Sequence, residues 1–419
     1  MSSAQESGLR NHRVEWAEGP DDADGNELPA FKPSWNLYSD RVRSFEWSPD
    51  TGIEQNRGLG DADPKNDKGP EAPTLTVVYD LQQSLQSGGT PQDAAGYGLM
   101  RAASNYLYGH HTVAARQELG DLPENETVDG GSGVKAGRLY TVGVGGYVDE
   151  VVLTGDPGDQ QPVSVELTYE FVRVRSVRID QMNADTALDV SSDDPGDTSQ
   201  TVTIEDDSGV TEDVALNGTT TVTTTKTDWS SIDGIYVHDG SGEPVDHDGT
   251  ITVSVSGGEA LAELDGTADY EGVESDYGVP ITGTTGSHAT AIGSSYERFI
   301  GDTIERPAGT NLSYDINSLE LTVSNNIERT IREDTFGQRI HVGSRDSEVA
   351  ATVVGPVESH ESIMASLQNK RNNIVWTLDN STITIADASL TDPGSRAPDA
   401  GQAAMSLDNT FTGEGVTVA

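Results

Sequence analysis

The chain is predicted to be mainly β, with one or two flanking helices and a small β-sandwich inserted into a larger sheet domain. Three observations carry this. Leu319, Leu321 and Val323 alternate with Ser318, Glu320, Thr322 and Ser324, the period-two pattern of a strand with one buried face, and similar segments recur along most of the 419 residues. Each such segment is bounded by Gly, Pro, Asn or Asp, the residues that turn a chain. Between about 191 and 264 the segments become short, closely spaced and threonine-rich, whereas those on either side look alike. The expected organisation is a first part of the main domain over 1–190, an insert over 191–264 and a second part over 265–419.

Residues 1–72 are turn-rich and charged, yet they carry Trp16, Phe31, Trp35, Tyr38, Phe45 and Trp47. Aromatic side chains bury large areas, so this arm is expected to dock on its own domain or on a neighbouring subunit, with Trp16, Trp35 and Trp47 as anchors. The acidic runs at 20–25 and 61–69 fall short of calcium loops, because Pro20 occupies the first ligand position of one and Lys65 interrupts the other. Residues 74–81 read as a strand. Thr90 as a cap, Pro91 in the first turn and Asp93 near the positive end then predict a helix reaching about Leu107, with Ala95, Leu99, Ala102, Ala103 and Tyr106 on one side. The adjacent His110 and His111 lack partners at metal-ligand spacing and read as ordinary surface or core residues.

From 138 to 180 the pattern is again extended. Residues 139–144 and 147–153 flank Gly145-Gly146, which reads as a hairpin turn. Val163, Val165, Leu167, Tyr169 and Phe171 occupy odd positions, whereas Val172 and Val174 are even, so the inward face switches near Phe171 through a bulge, a bend or a change of sheet. Arg173, Arg175 and Arg178 cluster in a chain poor in basic residues. They suit either pairing with carboxylates of the same chain or a basic surface for an acidic neighbour.

Residues 191–200 read as a linker of small, acidic and turn-forming residues. Strands are expected at 201–204, 212–216, 219–225, 231–238 and 249–255, with Asn217-Gly218 as a strong hairpin signal. After a loop-rich stretch at 258–312 come the strands around Leu321, a turn at Asn325-Asn326, strands at 327–331 and 349–354, and a helix after Ser359 with Ile363, Met364 and Leu367 on one face. A hairpin at 374–386 and closing strands at 404–411 and 416–418 complete the chain.

The formal net charge is -45, from 70 Asp and Glu against 25 Lys and Arg, and only six of the basic residues are Lys. Such a surface is suited to molar salt, where the Debye length falls to about 3 Å and repulsion between carboxylates is screened. A halophilic origin is therefore expected, and nucleic-acid binding by the arginines is disfavoured. With no Cys there are neither disulfides nor thiolate metal sites. No signal-like apolar run opens the sequence and no stretch approaches the roughly 18 apolar residues of a membrane span, so cytoplasmic synthesis is expected. The N-x-S/T sequons at Asn125, Asn217, Asn311 and Asn380 then read as chance matches. Nucleophile elbow, Walker loop, dinucleotide fingerprint and H-E-x-x-H are all missing, and carboxylates are too numerous for any pair to stand out as acid and base. Neither catalytic nor metal residues nor a cofactor are expected.

Several segments together resemble the major tail tube proteins of tailed viruses: TLTVVYDLQQ from Thr74, GTPQDAAGYGLMRAA from Gly89, DYGVPITGTTGSH from Asp276, NLSYDINSLELTVSNNIE from Asn311 and HVGSRDSEVAATVV from His341. With the acidic composition, the resemblance points to a long-tailed virus of haloarchaea. It implies a tail-tube β-sandwich or barrel, in subunits that form rings, usually of six, stacked into a tube through which DNA passes without specific binding. It also implies an immunoglobulin-like insert on the outer surface, location in the virion tail after cytoplasmic assembly, and tape-measure, terminator and baseplate proteins as further partners. Arg329, Arg332, Arg339 and Arg345 join Arg173, Arg175 and Arg178 as candidates for pairing between subunits. Other expectations are a tail terminator, baseplate or receptor-binding protein, and, from a different class, a carbohydrate-active enzyme built on β-sandwiches.

Overall fold

A computed structural model describes residues 12–22, 35–48, 53–56, 65–68, 72–102, 110–119, 134–156, 162–171, 173–206, 208–241, 245, 247–265, 296–297, 299, 303–306, 310–311, 316–331, 338–341, 343–355, 372–379, 381–392 and 405–419. The described chain is mainly β, with one short helix and several sheets. The helix expected after Ser359 lies outside the described residues.

The main sheet is built around one strand, Val134–Gly155. The hairpin expected at Gly145-Gly146 does not form. The chain instead continues through Gly145, at φ 63°, and the glycines mark a bend where pairing with His110–Leu119 slips in register between Gly143 and Gly146. A left-handed glycine can either turn a hairpin or kink a continuous strand, and here the partners decide. The first half of the strand lies between Arg173–Met182 and His110–Leu119, and the second half between Ser164–Glu170 and Ile316–Ser324. Ser164–Glu170 and Arg173–Met182 thus follow the same strand past the bend, and Phe171 sits between them at the point where the apolar positions switch parity.

Beyond Ile316–Ser324 the sheet proceeds through Asp346–Gly355 and Met405–Gly413 to Thr382–Asp392. Thr382–Asp392 repeats the device. Its beginning pairs with Asn372–Thr377 and Gly415–Val418, its end with Met405–Gly413, and Asp387 at the junction has φ 48°. Inward residues of these strands, among them Val151, Leu153, Leu321, Val323, Val349 and Trp376, are at most 1 % exposed. Burial of each aliphatic side chain contributes roughly 1.5–3 kcal/mol before chain entropy is counted.

The insert comprises a four-stranded and a three-stranded sheet around one apolar core that includes Trp229, Ile235 and Val253. Its first strand, Leu188–Ser192, begins before the expected boundary at 191. The run after it is a built turn: the buried Asp197 carboxylate accepts from Ser192 Oγ (2.5 Å) and from the amides of Asp248 and Gly249 (both 3.1 Å). Asn217-Gly218 turns the chain from the three-stranded sheet to the four-stranded one, so it joins no hairpin. The insert's core is continuous with Trp35 and with Tyr140, Val142, Ile179 and Met182 of the main sheet. Gln181 fastens the junction, donating to Ile232 O (2.8 Å) and accepting from Ile232 N (2.9 Å).

The helix starts later than the sequence predicts. Thr90 and Pro91 pair with Ser87 and Gln86, and Asp93 caps Ala94–Tyr97, which passes into a π-helical turn over Gly98–Ala102. The expected continuation at 103–107 lies outside the described residues.

Candidate assembly surface

The anchors of the expected arm lie inside the protomer. His12–Asp22 pairs with His110–Leu119, and Val42–Ser48 pairs with Thr74–Asp80, so the described parts of 1–72 that carry the tryptophans belong to the protomer's own β-structure. Trp16 is buried 5.9 Å from the Tyr97 ring, and Trp35 is buried in the core shared with the insert. Trp47 is half-buried between Phe45 and Phe171, at 5.8 and 5.4 Å. Phe31 lies outside the described residues. Of the two docking places expected for the arm, these tryptophans take the chain's own domain, where Trp16, Trp35 and Trp47 pack against its apolar cores.

Of the candidate arginines, Arg178 and Arg345 differ in burial. Arg178 is exposed and its Nε lies 2.9 Å from Asp180 Oδ1 on the same strand. Arg173 and Arg175 lie opposite Val144 and Val142 in the register. Arg329 lies opposite Ile340 and Arg339 opposite Thr330 in the hairpin formed by Glu328–Ile331 and Gln338–His341. Arg332 lies outside the described residues.

Arg345 stands at the base of that hairpin, in a junction where the ends of Ile316–Ser324 and Asp346–Gly355 are locked together. Asn326 takes left-handed backbone, φ 46°, and its amide donates to Ser344 O (2.7 Å) and Asp346 Oδ2 (2.9 Å). Asn325 Nδ2 donates to Val148 O (2.6 Å), and Ile327 N donates to Asp149 Oδ1 (3.2 Å). Gly343 fits because a Cβ there would stand 2.3 Å from Asn326 O. Held in this frame, Arg345 donates from Nη2 to Leu99 O of the π turn (3.1 Å), while its Nε is buried without a hydrogen-bond partner. Desolvation lowers its pKa to about 10.

Two further buried polar groups were not among the candidate site residues of the sequence. Asp80 is fully buried and ion-paired with Arg43 and with Arg41 Nε (3.2 Å), whose side chains remain 40 % and 61 % exposed. The i,i+2 spacing of Arg41 and Arg43, at the start of Val42–Ser48, is the same signal that Arg173 and Arg175 give. Asp93 is buried among Tyr79, Tyr38 and Tyr169, and only long-range pairing of Thr74–Asp80 with Ser164–Glu170 brings Tyr79 and Tyr169 together. Burial raises the Asp93 pKa to about 7 even though Tyr79 Oη (2.5 Å) and Ala95 N (2.8 Å) both donate to Oδ1.

Among the described residues, no group of three or more His, Asp or Glu is arranged to hold a metal ion, and no helix is long and apolar enough to cross a membrane. No protein-family model matches the chain, and no curated protein matches it.

Proposed function

We propose that the chain is a structural subunit of a tail tube, assembling as stacked rings in the virion of a long-tailed virus of haloarchaea, with DNA passing through the lumen. One observation supports this above the others. Three segments that carry the resemblance, far apart in the chain, fall in one continuous sheet: Thr74–Asp80 pairs with Ser164–Glu170, which pairs with Val134–Gly155, then Ile316–Ser324 and Asp346–Gly355. At one end of that run Val42–Ser48 pairs, among the described residues, with Thr74–Asp80 alone. Its other edge offers backbone groups for pairing between subunits, a liability in a monomer and a joining surface in a ring. The carboxylate excess then suits a lumen that repels DNA. In this reading the insert is an immunoglobulin-like decoration held rigidly by its shared core.

Negative-stain microscopy of the purified chain in molar salt tests the proposal. Hollow tubes or rings of uniform diameter are expected, and a monomer that persists at all concentrations refutes it.

A further inference from the structure

Arg345 differs from Arg178, whose neutralisation is visible. It is partly buried and, among the described residues, its buried Nε has no hydrogen-bond partner and its one hydrogen bond goes to a backbone carbonyl. A partly desolvated guanidinium with no carboxylate against it among the described residues is an uncompensated charge, which a fold holds only at a cost. Supply is not the reason, since the chain has 70 Asp and Glu. Two acids of the junction are engaged elsewhere, Asp346 by Asn326 Nδ2 and Asp149 by Ile327 N. The bond to Leu99 O in the π turn accounts for Nη2 but leaves the rest of the fork unmatched among the described residues.

We propose that Arg345 is a socket for a carboxylate of a second copy of this chain, docked at the base of the hairpin formed by Glu328–Ile331 and Gln338–His341. The proposal rests on the ring reading above and adds to it the residue that selects the partner. A second copy suits the socket because its surface is overwhelmingly acidic, with a net charge of -45. Salt sharpens the choice. At the molar ionic strength suited to this composition, charges on exposed side chains such as Arg178 are screened within about 3 Å. A guanidinium already partly withdrawn from water pairs at contact, beneath the ion atmosphere, and keeps its attraction. Its planar fork further favours a carboxylate over a spherical anion.

The test compares the wild-type chain with Arg345→Gln, Arg345→Lys and Arg345→Glu in molar sodium chloride, following assembly by sedimentation and microscopy and protomer stability by thermal unfolding. Gln can still donate to Leu99 O, so a capping role alone predicts unchanged assembly. The socket predicts at least a tenfold rise in the protein concentration needed for assembly with Gln, a smaller rise with Lys, and no assembly with Glu. If Gln compromises folding, Lys, which keeps the charge and a donor but lacks the fork, carries the test. Assembly of both Gln and Lys variants at the wild-type concentration overturns the socket and leaves the tube reading standing. A wild-type chain that stays monomeric overturns both. Stabilisation of the wild-type protomer by sodium acetate over equimolar chloride, abolished in Arg345→Gln without any effect on assembly, would assign the site to a free anion and overturn the second copy as its source.

Discussion

Asp93→Asn should remove a pH dependence that the wild-type fold carries in its core. Asp93 Oδ1 accepts from Tyr79 Oη and from Ala95 N, while Oδ2 has no aligned hydrogen bond and the nearby Gln83 amide is engaged by Gln92 O. The surrounding Tyr38 and Tyr169 are fully buried, and desolvation also raises their own pKa values. Burial is thus the largest influence on Asp93 and carries its pKa from 3.8 to about 7. Since the folded value is raised, the favourable state is the protonated one. Its contribution is fully present below the unfolded value near 3.8 and is lost as the pH rises through about 7. Between pH 5 and pH 8 this amounts to about 2–3 kcal/mol of stability lost from the wild type. Asn keeps the cap, because its side-chain oxygen can accept from Ala95 N, and it does not ionise. Thermal unfolding of both proteins at pH 5, 6, 7 and 8 in constant molar salt isolates the effect, since the titrations they share cancel in the difference. The Asp93→Asn variant should gain on the wild type steadily from pH 5 to pH 8. Parallel curves, or a wild type that gains on the variant over that range, would show that Asp93 is not held protonated by burial.

Two further perturbations probe how the parts are joined. Gly343→Ala places a Cβ 2.3 Å from Asn326 O, a backbone atom that cannot swing aside, so the junction should lose about 1–3 kcal/mol, read as a lowered unfolding midpoint. Gln181→Ala strips both polar groups of Ile232 of their buried partner. A loss of about 2–4 kcal/mol should follow, with faster amide exchange at Ile232 before exchange in the main sheet; unchanged protection there would refute the clamp.

Where the sequence states a fold and where it does not follows from the range of the forces involved. Alternation in Leu319, Leu321 and Val323 is local, and Ile316–Ser324 contains it as a strand. The Asn325-Asn326 turn is local too, resting on the tolerance of Asn for left-handed backbone. Gly145-Gly146 has the same short-range chemistry as a hairpin turn. Only the segment at 164–182, pairing with both halves of Val134–Gly155, converts it into a bend. A sequence sign of that outcome exists nonetheless. In Thr382–Asp392 the buried positions run Ile383, Ile385 and then Ala388, changing parity across Asp387 as the apolar pattern does at Phe171. A parity change inside an extended run marks a strand that turns a corner between sheets, whereas a hairpin would reset the pattern with a polar turn.

The arginines meet a harder limit. Arg178 and Arg345 are equivalent in type, each close to Asp in a chain full of Asp. What separates them is desolvation: Arg178 is exposed and met in cis by Asp180, while Arg345 is drawn against Leu99 O by a junction that four other residues lock. Leu99 and Arg345 are 246 positions apart, so no local pattern announces their contact. In dilute buffer the distinction would matter little, because exposed and buried charges both reach a partner through weakly screened fields. In molar salt the exposed charge contributes little beyond contact distance, and on the proposal above the partly buried one becomes the group able to choose a neighbour. For a surface this acidic, specificity between copies is therefore expected to reside in its few desolvated cations, and burial, more than sequence position, decides which arginines those are.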